Sequence, residues 1–135
     1  MSIGQFELQK TIYAALNGDS VLTSTLGASV HDEIPQGTAY PIVQIGEDTA
    51  LDYSVKDEVG SETTVVIHVW SRVAGSAQAK NIMDRVHTLL HDSNLTVTGF
   101  NLINMRMEFS DTIRDPDGLT RHGVMRFRAV ILGTS

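Results

Sequence analysis

The sequence predicts an α+β fold: a mostly antiparallel sheet with a long C-terminal β-hairpin, packed against one long amphipathic helix and an N-terminal helix. Three observations carry this. Residues 76–92 place Ala79, Ile82, Met83, Val86, Leu89 and Leu90 on one helical stripe. Residues 62–70 (ETTVVIHVW) form a β-branched run, apolar on both faces, as a central strand requires. Two long alternating segments flank Asp115-Pro116-Asp117-Gly118, which has the composition of a tight turn.

Taken in order, residues 5–17 keep Phe6, Leu8, Ile12, Ala15 and Leu16 near helical spacing, and Gly18 follows as a stop. Asp19 or Ser20 then caps a second, short helix around Val21, Leu22 and Leu26. Residues 30–34 and 41–45 read as two strands about the Pro35-Gln36-Gly37 turn, with Pro41 at a strand start, where a missing donor does least harm. Residues 46–60 hold Glu47, Asp48, Asp52, Asp57 and Glu58 against Lys56 alone, and read as a solvated acidic loop. Residues 95–97 suggest a further short strand.

The register of the C-terminal hairpin follows from its alternation. A three-residue loop, Pro116-Asp117-Gly118, with Gly118 left-handed, pairs Asp115 with Leu119 and sets Ile103, Met105, Met107 and Phe109 against Ile131, Ala129, Phe127 and Met125. The other face then carries Arg106, Glu108, Arg126 and Arg128, and the polar tip carries Asp111, Arg114, Asp115, Asp117, Arg121 and His122.

The chain has 135 residues, 16 Asp+Glu against 10 Lys+Arg, a net charge of −6, and no cysteine. This length fits a single domain, residues 1–135, with a core needing no metal or disulfide. A thiol nucleophile, a thiolate zinc site and a disulfide framework are excluded. No apolar run approaches the length of a membrane helix, and the N-terminus lacks the layout of a signal peptide, so a soluble product made in the cytoplasm is expected. The acidic balance gives no general drive for binding a phosphate backbone.

Catalytic constellations are not assembled. Gly75 stands alone where a phosphate loop needs clustered glycines. His87 and His91 have metal-sharing spacing, but Thr88 replaces the glutamate of a zincin, so both read as a solvated helix flank. His68 beside Trp70 reads as a packed histidine, with no partner singled out by sequence position. The acidic residues lack calcium-loop spacing. No cofactor and no metal are expected. The mixed charges of the hairpin suit a protein interface better than a nucleic-acid grip, because carboxylates interleave with the arginines.

The stretches 8–16 (LQKTIYAAL), 30–35 (VHDEIP), 40–43 (YPIV), 67–71 (IHVWS), the 79–91 helix and above all the tip 114–123 (RDPDGLTRHG) resemble the tail-completion or tail-terminator family of long-tailed phages and gene transfer agents. That resemblance covers nearly the whole chain. It implies a structural, non-catalytic virion protein of the tail neck, made in the bacterial cytoplasm. Such a protein forms a hexameric ring with itself, caps the head-proximal end of the tail-tube protein, stops polymerisation, and meets the head-tail connector or stopper proteins. DNA passes through its lumen without specific binding, and no membrane is involved. The hairpin residues named above become candidate interface residues, and Glu47, Asp48, Asp52, Asp57 and Glu58 a candidate lumen lining. A head-closure or adaptor ring on the connector side, a non-ring assembly chaperone or adaptor, and a small hydrolase or metal enzyme using His68 or the His87 and His91 pair remain as alternatives.

Overall fold

Two α-helices, α1 (Gln5–Asn17) and α2 (Ala77–Leu90), five strands, β1 (Ser29–His31), β2 (Ile42–Asp52), β3 (Gly60–Ser71), β4 (Phe100–Arg114) and β5 (Arg121–Gly133), and a short π-helical turn between α1 and β1 make up the computed structural model, which describes residues 3–133. The strands form one sheet in the order β1-β2-β3-β5-β4, parallel only between β1 and β2. The predicted class is therefore the observed one, and β3 is central as its composition requires.

Both helices share one face of this sheet. Leu8, Ile12 and Leu16 of α1 and Ala79, Ile82, Met83, Val86 and Leu90 of α2 join Val43, Ile45, Val65, Ile67, Val69, Met105, Met125, Phe127, Ala129 and Ile131 in a single buried cluster. Fully burying a side chain such as Ile67 or Phe127 stabilises the fold by about 1.5–3 kcal/mol. Helix α2 approaches closely at Gly123, where a Cβ would lie 2.5 Å from Met83 Sδ and the Met83 side chain would have to move. Along β3 the odd-numbered residues 61–71 are buried, whereas Glu62, Thr64, Val66, His68 and Trp70 are half-buried on the opposite, open face.

The second short helix is a five-residue π-helical turn, Val21–Thr25, closed by Leu26 N–H donating to Val21 O at 2.9 Å. The Asp19 carboxylate accepts the Leu22 N–H and a two-pronged bond from Arg85 of α2, at 2.8 and 2.7 Å. One side chain thus caps the start of the turn and ties it to the main helix. The Arg85 guanidinium, more than any other group, holds the Asp19 carboxyl below its ordinary range.

Three expectations are corrected. Residues 95–97 form no strand; Val97 makes an isolated bridge to Phe100. The acidic stretch is not a loop, because β2 continues to Asp52 and places Glu47, Asp48 and Asp52 on a strand, leaving Asp57 and Glu58 in the connection. A bulge between Ile45 and Asp48 sets two residues of β2 opposite Val66 alone, which breaks the alternation by which a strand is recognised.

The third correction concerns the hairpin register. Asp115 N–H donates to Thr120 O and Gly118 N–H to Asp115 O, both at 2.9 Å, so Arg114 pairs with Arg121 and the loop has four residues rather than three. A bulge at Glu108 then moves the register by one. Below it Met107 faces Phe127 and Met105 faces Ala129, as the alternation demands. A second bulge at Ile103 pairs Leu102 with Ile131. Phe109 accordingly faces Arg126 rather than Met125 and lies on the open face, while Ile103 and Ile113 are exposed.

Gly118 has φ +72° with open space about its Cβ position, so strain without collision governs substitution there. We expect Gly118→Val to cost about 1–2 kcal/mol and Gly118→Asn to recover much of it, measured by urea unfolding. Gly123→Val should instead cost about 1–3 kcal/mol through overpacking against Met83, with the loss read by the same measurement.

Candidate functional site

The open face carries the groups that no core requires. Its wide end is a charged ladder spanning β3, β5 and β4. Arg128 reaches Glu62 at 3.3 Å and Glu108 at 3.7 Å, and Arg126 reaches Glu108 at 3.6 Å. Arg126 also covers the Phe109 ring at 5.3 Å from its centre. Arg106 pairs with Asp92 at 3.2 Å. Of the four expected residues, Glu108, Arg126 and Arg128 therefore gather in ion pairs, Arg106 faces Arg128 across the hairpin but pairs with Asp92, and the bulge adds Phe109. A cleft of about 460 Å3 lies beside the ladder, lined by Glu47, Asp48, Thr49, Thr64, Val66, Glu108 and Arg126. Three carboxylates and one guanidinium give it an acidic lining suited to cationic side chains.

Toward the hairpin tip the same face holds a stack of rings. Trp70 and His122 lie flat on one another, with centres 3.8 Å apart and planes at 9°. His122 Nε2 is 2.7 Å from His68 Nδ1, and His68 Nε2 is 3.1 Å from Glu47 Oε2. Gly46 makes this possible, since a Cβ there would lie 2.6 Å from the His68 ring. Trp70 Nε1 donates to Gln44 at 3.4 Å. The Glu47 backbone N–H, followed by His68, holds the Glu47 carboxyl below its ordinary range. Burial, followed by the charge of His68, lowers the pKa of His122.

His68 is thus packed, as expected from its place beside Trp70, but it has two partners that sequence reasoning missed. They lie 21 residues before and 54 after it. No local spacing marks them; only the alignment of β2, β3 and β5 brings them together.

At the tip, the Asp117 carboxylate accepts the N–H groups of Leu119 and Thr120 and the Thr120 hydroxyl. The Thr120 N–H above all lowers its pKa. Asp117 therefore shapes the turn, whereas Asp111, Arg114 and Asp115 stand at or near the surface and Arg121 is half-buried. Asp52, Asp57 and Glu58 lie at the opposite end of the sheet, near the exposed Leu51, Tyr53 and Val55.

The His87 and His91 rings stack at 4.5 Å, but His91 is not merely a solvated flank: its Nδ1 accepts the Met107 N–H at 3.0 Å. Among the described residues no group of three His, Asp or Glu can hold a metal ion, and no helix is long and apolar enough to cross a membrane.

Residues 10–132 match the family of the tail completion protein gp17. The tail completion protein gp17 of Bacillus phage SPP1 is 32% identical over 92 residues, 68% of this chain and 68% of that protein. Among solved structures, a chain in the virion of a native gene transfer agent particle superposes with a TM-score of 0.89 at 28% identity, covering 98% of this chain and all of that one. With a sheet left open on one face and a projecting hairpin, the chain belongs to the tail completion protein gp17 family, structural proteins of the phage tail.

Proposed function

We propose that the protein terminates the tail of a long-tailed phage or gene transfer agent as a hexameric ring on the head-proximal end of the tail tube. The ring stops tube polymerisation and presents the surface on which the head connector or stopper docks. The observation that carries this reading is the likeness of nearly the entire chain to a chain of a gene transfer agent virion, shared by fold and sequence alike.

The geometry supports self-association. A ring of identical subunits needs two different surfaces that meet head to tail and close. The distal half of β4 is a sheet edge with a neighbour on one side only, and it carries exposed Phe109 and Ile113, with Leu119 exposed at the tip. Two arms of 15 and 13 residues extend for about 45 Å, against about 21 Å for α2, so the tip reaches past the helical layer. Arg106, Glu108, Arg114, Asp115, Arg121, His122, Arg126 and Arg128 contribute to the contacts of this hairpin, with Asp117 holding its tip in shape.

The other end of the sheet suits passage of DNA. Asp52, Asp57 and Glu58 at the connection, with Glu47 and Asp48 farther along β2, form an acidic margin that repels a phosphate backbone. DNA then moves through the lumen without being held.

The test is imaging of purified particles labelled at the C-terminus, with sixfold averaging of the neck. Label at the head–tail junction with six copies supports the terminator; label elsewhere, or absence from finished particles, overturns it. Arg126→Glu separates assembly from folding. Its pairs are half-exposed, so we expect a change of less than about 1 kcal/mol in unfolding free energy but loss of the protein from the neck. An unfolded variant would show that the open face serves the fold rather than assembly.

A further inference from the structure

The hydrogen-bond directions in the ring stack are fixed by its ends. An ionised Glu47 carboxylate only accepts, so His68 Nε2 carries the hydrogen between them. In a neutral His68 ring Nδ1 is then bare, and His122 Nε2 must donate to it across 2.7 Å. A first proton is accommodated if His122 changes tautomer, because its Nε2 can accept from a protonated His68. A second is not: two fully protonated imidazoles place N–H against N–H at that distance, with like charges on rings whose centres are 4.9 Å apart.

We propose that Glu47, His68, His122 and Trp70 form a proton-operated latch on the open face: closed while at most one imidazole is protonated, and opened by the second proton, which drives His122 off Trp70. The surroundings favour a two-state response. β2 supplies Glu47 and Gln44, β3 supplies Trp70 and His68, and Asp115 near the tip acts on His122 through its charge. On β4, Ile113 lies beside His122 and Asp111 beside Val124. The helices lie on the far side of the sheet. Burial opposes a charge on His122 while Asp115 and Glu47 favour it, and release to water removes the opposition of burial. When the latch opens, the face that bears the charged ladder gains positive charge and loses its flat Trp70–His122 cover.

The sign of the stability effect follows. Because the pKa of His122 is lowered by folding, the unfolded chain takes up its proton first, near the ordinary value of 6.5. Stability is full above that pH and falls as the pH drops below it toward the lowered folded value. Glu47, Asp19 and Asp117, whose pKa values are also lowered, lose their contributions only in the more acidic carboxylate range.

Trp70 is the sole tryptophan, so its emission reports the latch directly. Acidification of the full-length protein should shift the emission to longer wavelength in one step with its midpoint below 6.5. His122→Gln should lose that step while remaining folded by far-ultraviolet circular dichroism. Emission that stays constant until global unfolding, or the same step in a folded His122→Gln, overturns the latch. If the variant does not fold, nitrogen-15 spectra of the wild-type imidazoles at about pH 7.5 decide the matter. Hydrogen on Nε2 of both His68 and His122 with a bare His68 Nδ1 supports the latch, and any other tautomer pair overturns it.

Discussion

The carboxyl end of α2 holds the edge strand β4 at two points. Asp92 N–H donates to Met105 O at 2.7 Å, and His91 Nδ1 accepts the Met107 N–H at 3.0 Å. These bonds occupy backbone groups that an edge strand otherwise leaves open, and they fix Met105 and Met107 under the helix. The turn at the other end of the hairpin imposes a register one residue different. The conflict is resolved at Glu108, which bulges out between the two. Everything distal to Glu108 changes face: Phe109, Asp111 and Ile113 leave the core side and join the open face.

That exchange divides the hairpin by role. Its proximal half is core, closed by helix α2, whereas its distal half exposes apolar side chains and an unpaired edge. A long free edge invites pairing with another chain, and the bulges and charges along β4 limit such pairing to partners of matching shape. In the role proposed above this combination is useful, since the protein stays unassociated alone and docks on its template. The one-sided burial of the sheet serves the same end, because the open face is held together by ion pairs and stacked rings rather than by a second layer.

The family and the expected class were legible because their signals are local or strongly periodic. The apolar stripe of α2, the β-branched run of β3 and the Asp-Pro-Asp-Gly turn are written in consecutive residues. The face of Arg106, Glu108, Arg126 and Arg128 was legible in part: Arg106 does face Arg128, whereas Glu108 sits in the bulge and Phe109 takes the expected place opposite Arg126. The acidic segment was misread for the opposite reason. Its bulge after Ile45 removes the alternation, and its residues are polar on both faces, so nothing in the residues marks a strand until β3 is present to pair with it.

By itself the sequence determined the fold class, the apolar faces of α1, α2 and β3, the position of the turn at Gly118 and the absence of thiol chemistry, because these depend on residue type and short-range spacing. Tertiary structure alone decided the two bulges of β4, the clamp from His91 and Asp92, and the Glu47–His68–His122–Trp70 stack. Each of these joins segments distant in sequence, and each exists only after the sheet order β2-β3-β5-β4 has brought their strands into register.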